Sequence, residues 1–114
     1  MARATGNVSV MRTTLILLQL YTAGARHFVF LNLPMYWRSP DVINRGNSSL
    51  TAIAKHRNLL WNAALADRFQ DFERAHVGEV FARVVDVYGL WENMYAQPTK
   101  YGLRNVTEYC QAYY

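Results

Sequence analysis

The sequence predicts an α/β fold in which parallel strands are joined by a long crossover helix. Two observations carry this. The run HFVFL at 27–31 is continuously apolar after its histidine, the pattern of a strand covered on both faces, as in parallel sheets. A second apolar run, Val80 to Val87, follows a long helical stretch, and strand, helix, strand is the crossover unit, right-handed in nearly all known cases. Two strands do not make a sheet that stands alone, and an exposed apolar edge invites aggregation. The 114 residues are therefore expected to form a single partial domain, 1–114, of a larger α/β body, or to have their edge completed by another chain.

Taken in order, Val10 to Thr22 reads as a helix with Leu15, Leu18 and Tyr21 or Thr22 on its apolar side, and Gly24 stands where a C-cap belongs. Residues 26–33 read as the first strand, ended by Pro34, which has no N–H to give the ladder. The stretch from Met35 to Ser49 is rich in turn residues. Ser48 or Ser49 is placed to cap a long helix reaching about His76. Its expected apolar stripe is Leu50, Ile53, Arg57, Leu60, Trp61, Ala64, Leu65, Phe69 and Phe72. Gly78 ends that helix, Glu79 to Val87 reads as the second strand, and Tyr88 to Ala96 as a short helix closed by Pro98. From Tyr101 onward the chain reads as loop.

Composition narrows the function classes. Hydrophobic residues make up 52% of the chain, which excludes a disordered tail or collagen. No apolar run reaches the roughly 18 residues that crossing a bilayer takes, so no membrane span is expected. The net charge is +4, but Lys and Arg are scattered singly rather than clustered among exposed aromatics, and no nucleic-acid partner is expected. The start, MARATGNVSVMRTTLILLQLYTAGA, mimics a secretory leader; its long polar stretch before Thr14 and short apolar core favour a helix ahead of the strand instead. Asn7, Asn47 and Asn105 each open a glycosylation sequon, where chance would give roughly one, and this favours a secreted protein. Cys110 is the single cysteine, so no disulfide forms within these residues, and a partner would lie beyond Tyr114 in a longer protein.

A further pattern resides in GARHFVFLNLPMYWRSP, in Asn62 to Phe69 of the long helix, and in VVDVYGLWENMYAQPTKYGLRNVTEYC. In this order and spacing, over about residues 15 to 110, the chain resembles the late part of the GDSL, or SGNH, ester hydrolases, with the fungal carbohydrate acetylesterases as the nearest look. The resemblance implies a flavodoxin-like three-layer fold of which this is the C-terminal half. It implies an acetylated carbohydrate or small ester as the parent enzyme's substrate, no cofactor, and a secreted location. Such enzymes use a Gly-Asp-Ser serine, a glycine and an asparagine that donate to the oxyanion, and an Asp-x-x-His histidine, because a serine hydroxyl is a weak nucleophile without a base and the oxyanion needs positioned donors. None of these motifs occurs here. The Gly6-Asn7 pair lacks the following acid and carries no catalytic role, so the chain alone is expected to be inactive.

Substrate-contacting candidates are Asn32, Tyr36, Trp37 and Asp86. The first three leave the end of the first strand and the last ends the second, where ligand sites of open α/β sheets form. The competing roles are core packing for the aromatics and capping of the next helix for Asp86. Glu73 and His76 have acid-x-x-His spacing but precede the second strand, which reads as a solvated helix end. His27, His56 and His76 have no third ligand at recognisable spacing, so no metal is expected. An alternative function of another class is a non-catalytic module that binds glycans through the aromatic loop or pairs its exposed strand with a complementing chain.

Overall fold

A computed structural model describes residues 3–110, with side chains described from residue 11 onward. The fold is mixed α/β. Helix α1 (Arg3–Thr22) leads into strand β1 (His27–Leu31), and a 3-10 turn (Tyr36–Arg38) and the one-turn helix α2 (Pro40–Ile43) follow. The long helix α3 (Ser48–Ala75) then reaches strand β2 (Phe81–Val85), helix α4 (Val87–Ala96) and a final 3-10 turn (Pro98–Tyr101). The chain divides into two compact units. One comprises the residues up to Asn32 with Leu59–Val85; the other comprises Leu33–Asn58 with the residues from Asp86 onward.

In the first unit, β1 and β2 pair in parallel, with Phe28 opposite Ala82 and Phe30 opposite Val84. The ladder is extended at both ends, by the Phe81 N–H donating to the Arg26 carbonyl and the Asn32 N–H donating to the Val85 carbonyl. Side chains alternate across a strand, so Phe28, Phe30, Ala82 and Val84 share one face. That face carries the core, in which Leu17 of α1 and Phe69 and Phe72 of α3 pack with Phe28 and Ala82. Phe72 is the hub: its ring meets Phe28 edge-on at 5.2 Å and Tyr21 at 6.2 Å, and stacks at a tilt on His76 at 4.6 Å.

The opposite face is bare. Val29 is 57% exposed and Leu31 63%, with Phe81 and Val85 also open beside them. The both-sides burial expected of β1 is thus half met by these residues.

Two expected helix faces are corrected. Among the described side chains of α1 the buried one is Leu17, 1% exposed, while Leu15 and Leu18 are exposed. On α3 the stripe from Leu65 through Phe69 to Phe72 is as expected, but in its first half Ala54 and Asn58 are buried, and Ile53, Arg57 and Leu60 are exposed. Trp61, expected on the buried stripe, is half-buried. The cap of α3 is Asn47, not Ser48 or Ser49: its Oδ1 accepts the Leu50 N–H at 3.0 Å, and its backbone carbonyl accepts the Thr51 N–H. Helix α1 begins at Arg3, earlier than expected. It closes at Gly24 with φ 106°, where the Ala25 N–H reaches back to the Leu20 carbonyl; this left-handed turn is where a glycine is least strained.

The end of α1 is tied to the turn before β2. The Tyr21 hydroxyl donates to Glu79 at 2.5 Å, while the Arg26 guanidinium lies 4.1 Å over the Tyr21 ring. Sharing its proton with the Glu79 carboxylate raises the Tyr21 phenol above its ordinary value; partial burial adds to this and Arg26 opposes it. Because the folded value is the higher one, this contribution is fully present below the unfolded phenol's pKa near about 10 and is lost as pH rises through the folded value. Comparing Tyr21→Phe with the parent chain in urea, the stability gap is expected to be flat from neutral pH to about 9 and to close above about 10. A gap that widened with pH would contradict the assignment.

Candidate functional site

The second unit gathers most of the candidate residues. Tyr36 and Trp37 sit on the 3-10 turn after Pro34, half-buried. The Tyr36 hydroxyl donates to the Ala54 carbonyl at 3.1 Å, which ties the turn to the start of α3. The Trp37 indole N–H points to the Tyr88 hydroxyl at 3.4 Å, and the Lys55 ammonium lies 4.9 Å over the Trp37 ring. Next to them in the chain, Met35 is buried. Asp86 is the N-cap of α4, its Oδ1 accepting the Gly89 N–H at 3.0 Å. Asn32 belongs to the first unit, where its N–H continues the strand ladder to Val85. Tyr36, Trp37 and Asp86 thus share a unit, and Asn32 lies outside it.

The residue that periodicity did not single out is Asn58. Its side chain is 0% exposed, and its Nδ2 donates to the Leu33 carbonyl at 3.4 Å. Its Oδ1 meets no hydrogen-bond donor among the described residues. Leu33 precedes Pro34, so an amide from α3 supplies a donor to a carbonyl at the point where the strand ladder has already ended. The only signal in the sequence was an asparagine four residues from a small alanine on one helix face, and Ala54 is the buried neighbour it identifies.

The face of α4 that meets the tail forms an apolar groove of about 320 Å³ lined by Trp91, Met94, Tyr95, Leu103 and Val106, with the polar groups of Asn105 and Glu108. Trp91 and Tyr95 lie one helical turn apart with ring centres 6.1 Å apart. The Arg38 guanidinium sits 4.3 Å over the Tyr95 ring, and the Tyr95 hydroxyl donates to the Arg38 carbonyl at 3.4 Å. Among the described residues no group of three or more His, Cys, Asp or Glu could hold a metal ion, and no helix is long and apolar enough to cross a membrane. His27 and His56 are exposed. Glu73 bonds Arg83 at 3.0 Å, and the His76 Nδ1 donates to the Phe72 carbonyl at 2.9 Å, so the acid-x-x-His pair is taken up in structural contacts.

The cap at Asp86 is sterically coupled to Gly89. A Cβ at Gly89 would run into the Asp86 carboxylate. Asp86→Ala is expected to cost about 1 kcal/mol through the lost cap. Gly89→Ala should yield little in the parent chain, because the added methyl displaces the cap, but should recover the helix-propensity gain of about 1 kcal/mol in the Asp86→Ala background. A double-mutant cycle by chemical denaturation reads this directly; simple additivity of the two substitutions would refute the coupling.

One sequence comparison bears on the class of protein to which this mixed α/β chain is related. No known protein-family profile matches the chain. It is 33% identical over 93 residues to an acetylesterase of Thermothelomyces thermophilus, an alignment covering 79% of this chain and 30% of that enzyme. The chain is therefore esterase-related over that stretch, and it spans under a third of the relative's length.

Proposed function

We propose that this chain is the late part of an SGNH-type esterase domain, whose whole form acts on acetylated carbohydrate, and that it is inactive by itself. The observation that carries this is the similarity to the acetylesterase, which spans most of this chain and less than a third of the relative. The bare face of the two-stranded sheet supports it, since Val29, Leu31, Phe81 and Val85 are residues that a wider sheet's second helical layer would cover. Topology adds where the sheet would widen. Helices α1 and α3 pack on the same face, through Leu17, Phe69 and Phe72 against Phe28 and Ala82. With right-handed connections throughout, a strand feeding α1 lies beside β1, on the side away from β2. Tyr36, Trp37 and Asp86, which share one unit, follow the strands in the chain, and in this reading they contribute to a substrate pocket whose serine, oxyanion donors and histidine come from elsewhere. In the alternative reading, the two-stranded sheet β1-β2 pairs a strand edge with a separate complementing chain.

The test is a segment exchange. Replacing the matched stretch of the Thermothelomyces acetylesterase by this chain is expected to leave an enzyme that releases acetate from acetylated xylan oligosaccharides in a serine-reagent-sensitive way. This chain alone is expected to stay at the buffer rate on an activated acetate ester. A folded, soluble exchange protein without activity would remove the esterase reading, and serine-reagent-sensitive turnover by the isolated chain would remove the inactivity.

A further inference from the structure

We infer that Asn105 is an N-glycosylation site and that its first sugar lies on the apolar groove of α4. The inference rests on the reading that the whole protein is secreted. Three sequons are present, and the structure separates them. Asn7 falls inside helix α1, its side chain outside the described ones, and Asn47 is the N-cap of α3 with Ser48 and Ser49 already helical. A helical backbone withholds the sequon from the looped conformation in which an asparagine amide and the hydroxyl two residues on can meet.

Asn105-Val106-Thr107 lies outside every helix and strand, with Asn105 and Thr107 exposed. Three donors converge on the Asn105 Oδ1: the Thr107 N–H at 2.8 Å, the Thr107 hydroxyl at 2.9 Å and the Glu108 N–H at 3.2 Å. Drawing electron density toward Oδ1 makes the Nδ2 hydrogens more acidic, which is what the transfer needs. The Nδ2 of Asn105 donates one hydrogen to the Glu108 carboxylate at 3.0 Å, and that carboxylate is placed to accept a proton. In the transfer, Nδ2 bonds to C1 of a lipid-diphosphate-linked oligosaccharide, the C1–oxygen bond breaks, the lipid diphosphate leaves with the electron pair, and Nδ2 gives up one of its two protons.

The groove supplies the second observation. Asn105 and Glu108, the acceptor of its Nδ2 hydrogen, both line it together with Trp91, Tyr95, Leu103 and Val106, so a sugar on Asn105 is attached beside the groove. An N-acetylhexosamine presents an apolar ring face and a methyl group to such a surface, and aromatic side chains receive both.

The experiment supplies this full chain, with and without an added secretory leader, to translation in the presence of microsomes, alongside Asn7→Gln, Asn47→Gln and Asn105→Gln. With the leader, one endoglycosidase-sensitive glycan is expected, lost in Asn105→Gln and kept in the other two. Imported chain without a glycan, or a glycan that survives Asn105→Gln, overturns the site. The leaderless arm reports on secretion separately, so failure there leaves the site assignment to be judged by the leader arm. For the groove, glycosylated chain trimmed to one sugar is compared with the bacterially made, unmodified chain by acrylamide quenching of tryptophan. Reduced quenching is expected after modification, and Trp91→Phe is expected to abolish the difference. Equal quenching of the two forms overturns the groove contact.

Discussion

Phe72→Ala is expected to lower the stability of the chain by about 3–5 kcal/mol, the range for removing a buried aromatic from a packed core. Phe72 is 5% exposed, and its ring touches Phe28 of β1, Tyr21 of α1 and His76 at the end of α3. The substitution therefore removes both buried area and three ring contacts, aromatic pairs adding about 0.5–1.5 kcal/mol each beyond area. Small domains hold only about 5–15 kcal/mol in total, so the expected readout is loss of a cooperative urea transition, or its shift to far lower denaturant. An unchanged midpoint would show that α3 does not hold the sheet through this ring.

Leu17→Ala is expected to cost about 2–5 kcal/mol, whereas Leu15→Ala and Leu18→Ala are expected to stay within about 0.5 kcal/mol of the parent chain. All three residues belong to one apolar run, and only Leu17 is covered, packed among Phe28, Phe69, Phe72 and Ala82. The comparison is sharp because composition and helix propensity are the same at each position. If Leu15→Ala proved the costly one, the face of α1 described above would be wrong.

The same run shows what the sequence could and could not disclose. The strands, the long helix and the short helix after Asp86 were legible from apolar runs, three-to-four spacing and the glycines at 24 and 78, because those signals act through local backbone geometry. Which face of α1 is buried was not legible. LILLQL is apolar at nearly every position, so it carries no period to mark a face, and the choice of Leu17 follows from tertiary packing on Phe28.

In α3 the stripe was legible where it is aromatic, at Phe69 and Phe72, and misread where α3 buries an alanine and an asparagine instead of Ile53 and Leu60. Ala54 and Asn58 are buried because the Tyr36 hydroxyl and the Leu33 carbonyl bond to this part of the helix, contacts between residues far apart in the chain that no periodicity records. The cap at Asn47 was missed for a simpler reason: Asn47, Ser48 and Ser49 are all good cap residues, and only the helix's own geometry selects among them. Of the candidate site, the turn after β1 at Tyr36 and Trp37 and the helix cap at Asp86 after β2 were legible as places, because Pro34 and the end of an apolar run mark where each strand stops. The spacing did not disclose the cation over each aromatic, Lys55 on Trp37 and Arg38 on Tyr95, which depends on how the loop folds back.

The most direct measurement is sedimentation of the isolated 13.2 kDa chain across a range of concentrations, beside a variant carrying Val29→Thr, Leu31→Thr, Phe81→Thr and Val85→Thr. Threonine keeps the strand preference while removing the oily surface. The bare sheet face predicts that the parent chain associates as concentration rises and that the variant sediments as a monomer. A parent chain that stays monomeric throughout, with a cooperative unfolding transition of its own, would contradict the account of this sheet as one part of a wider one.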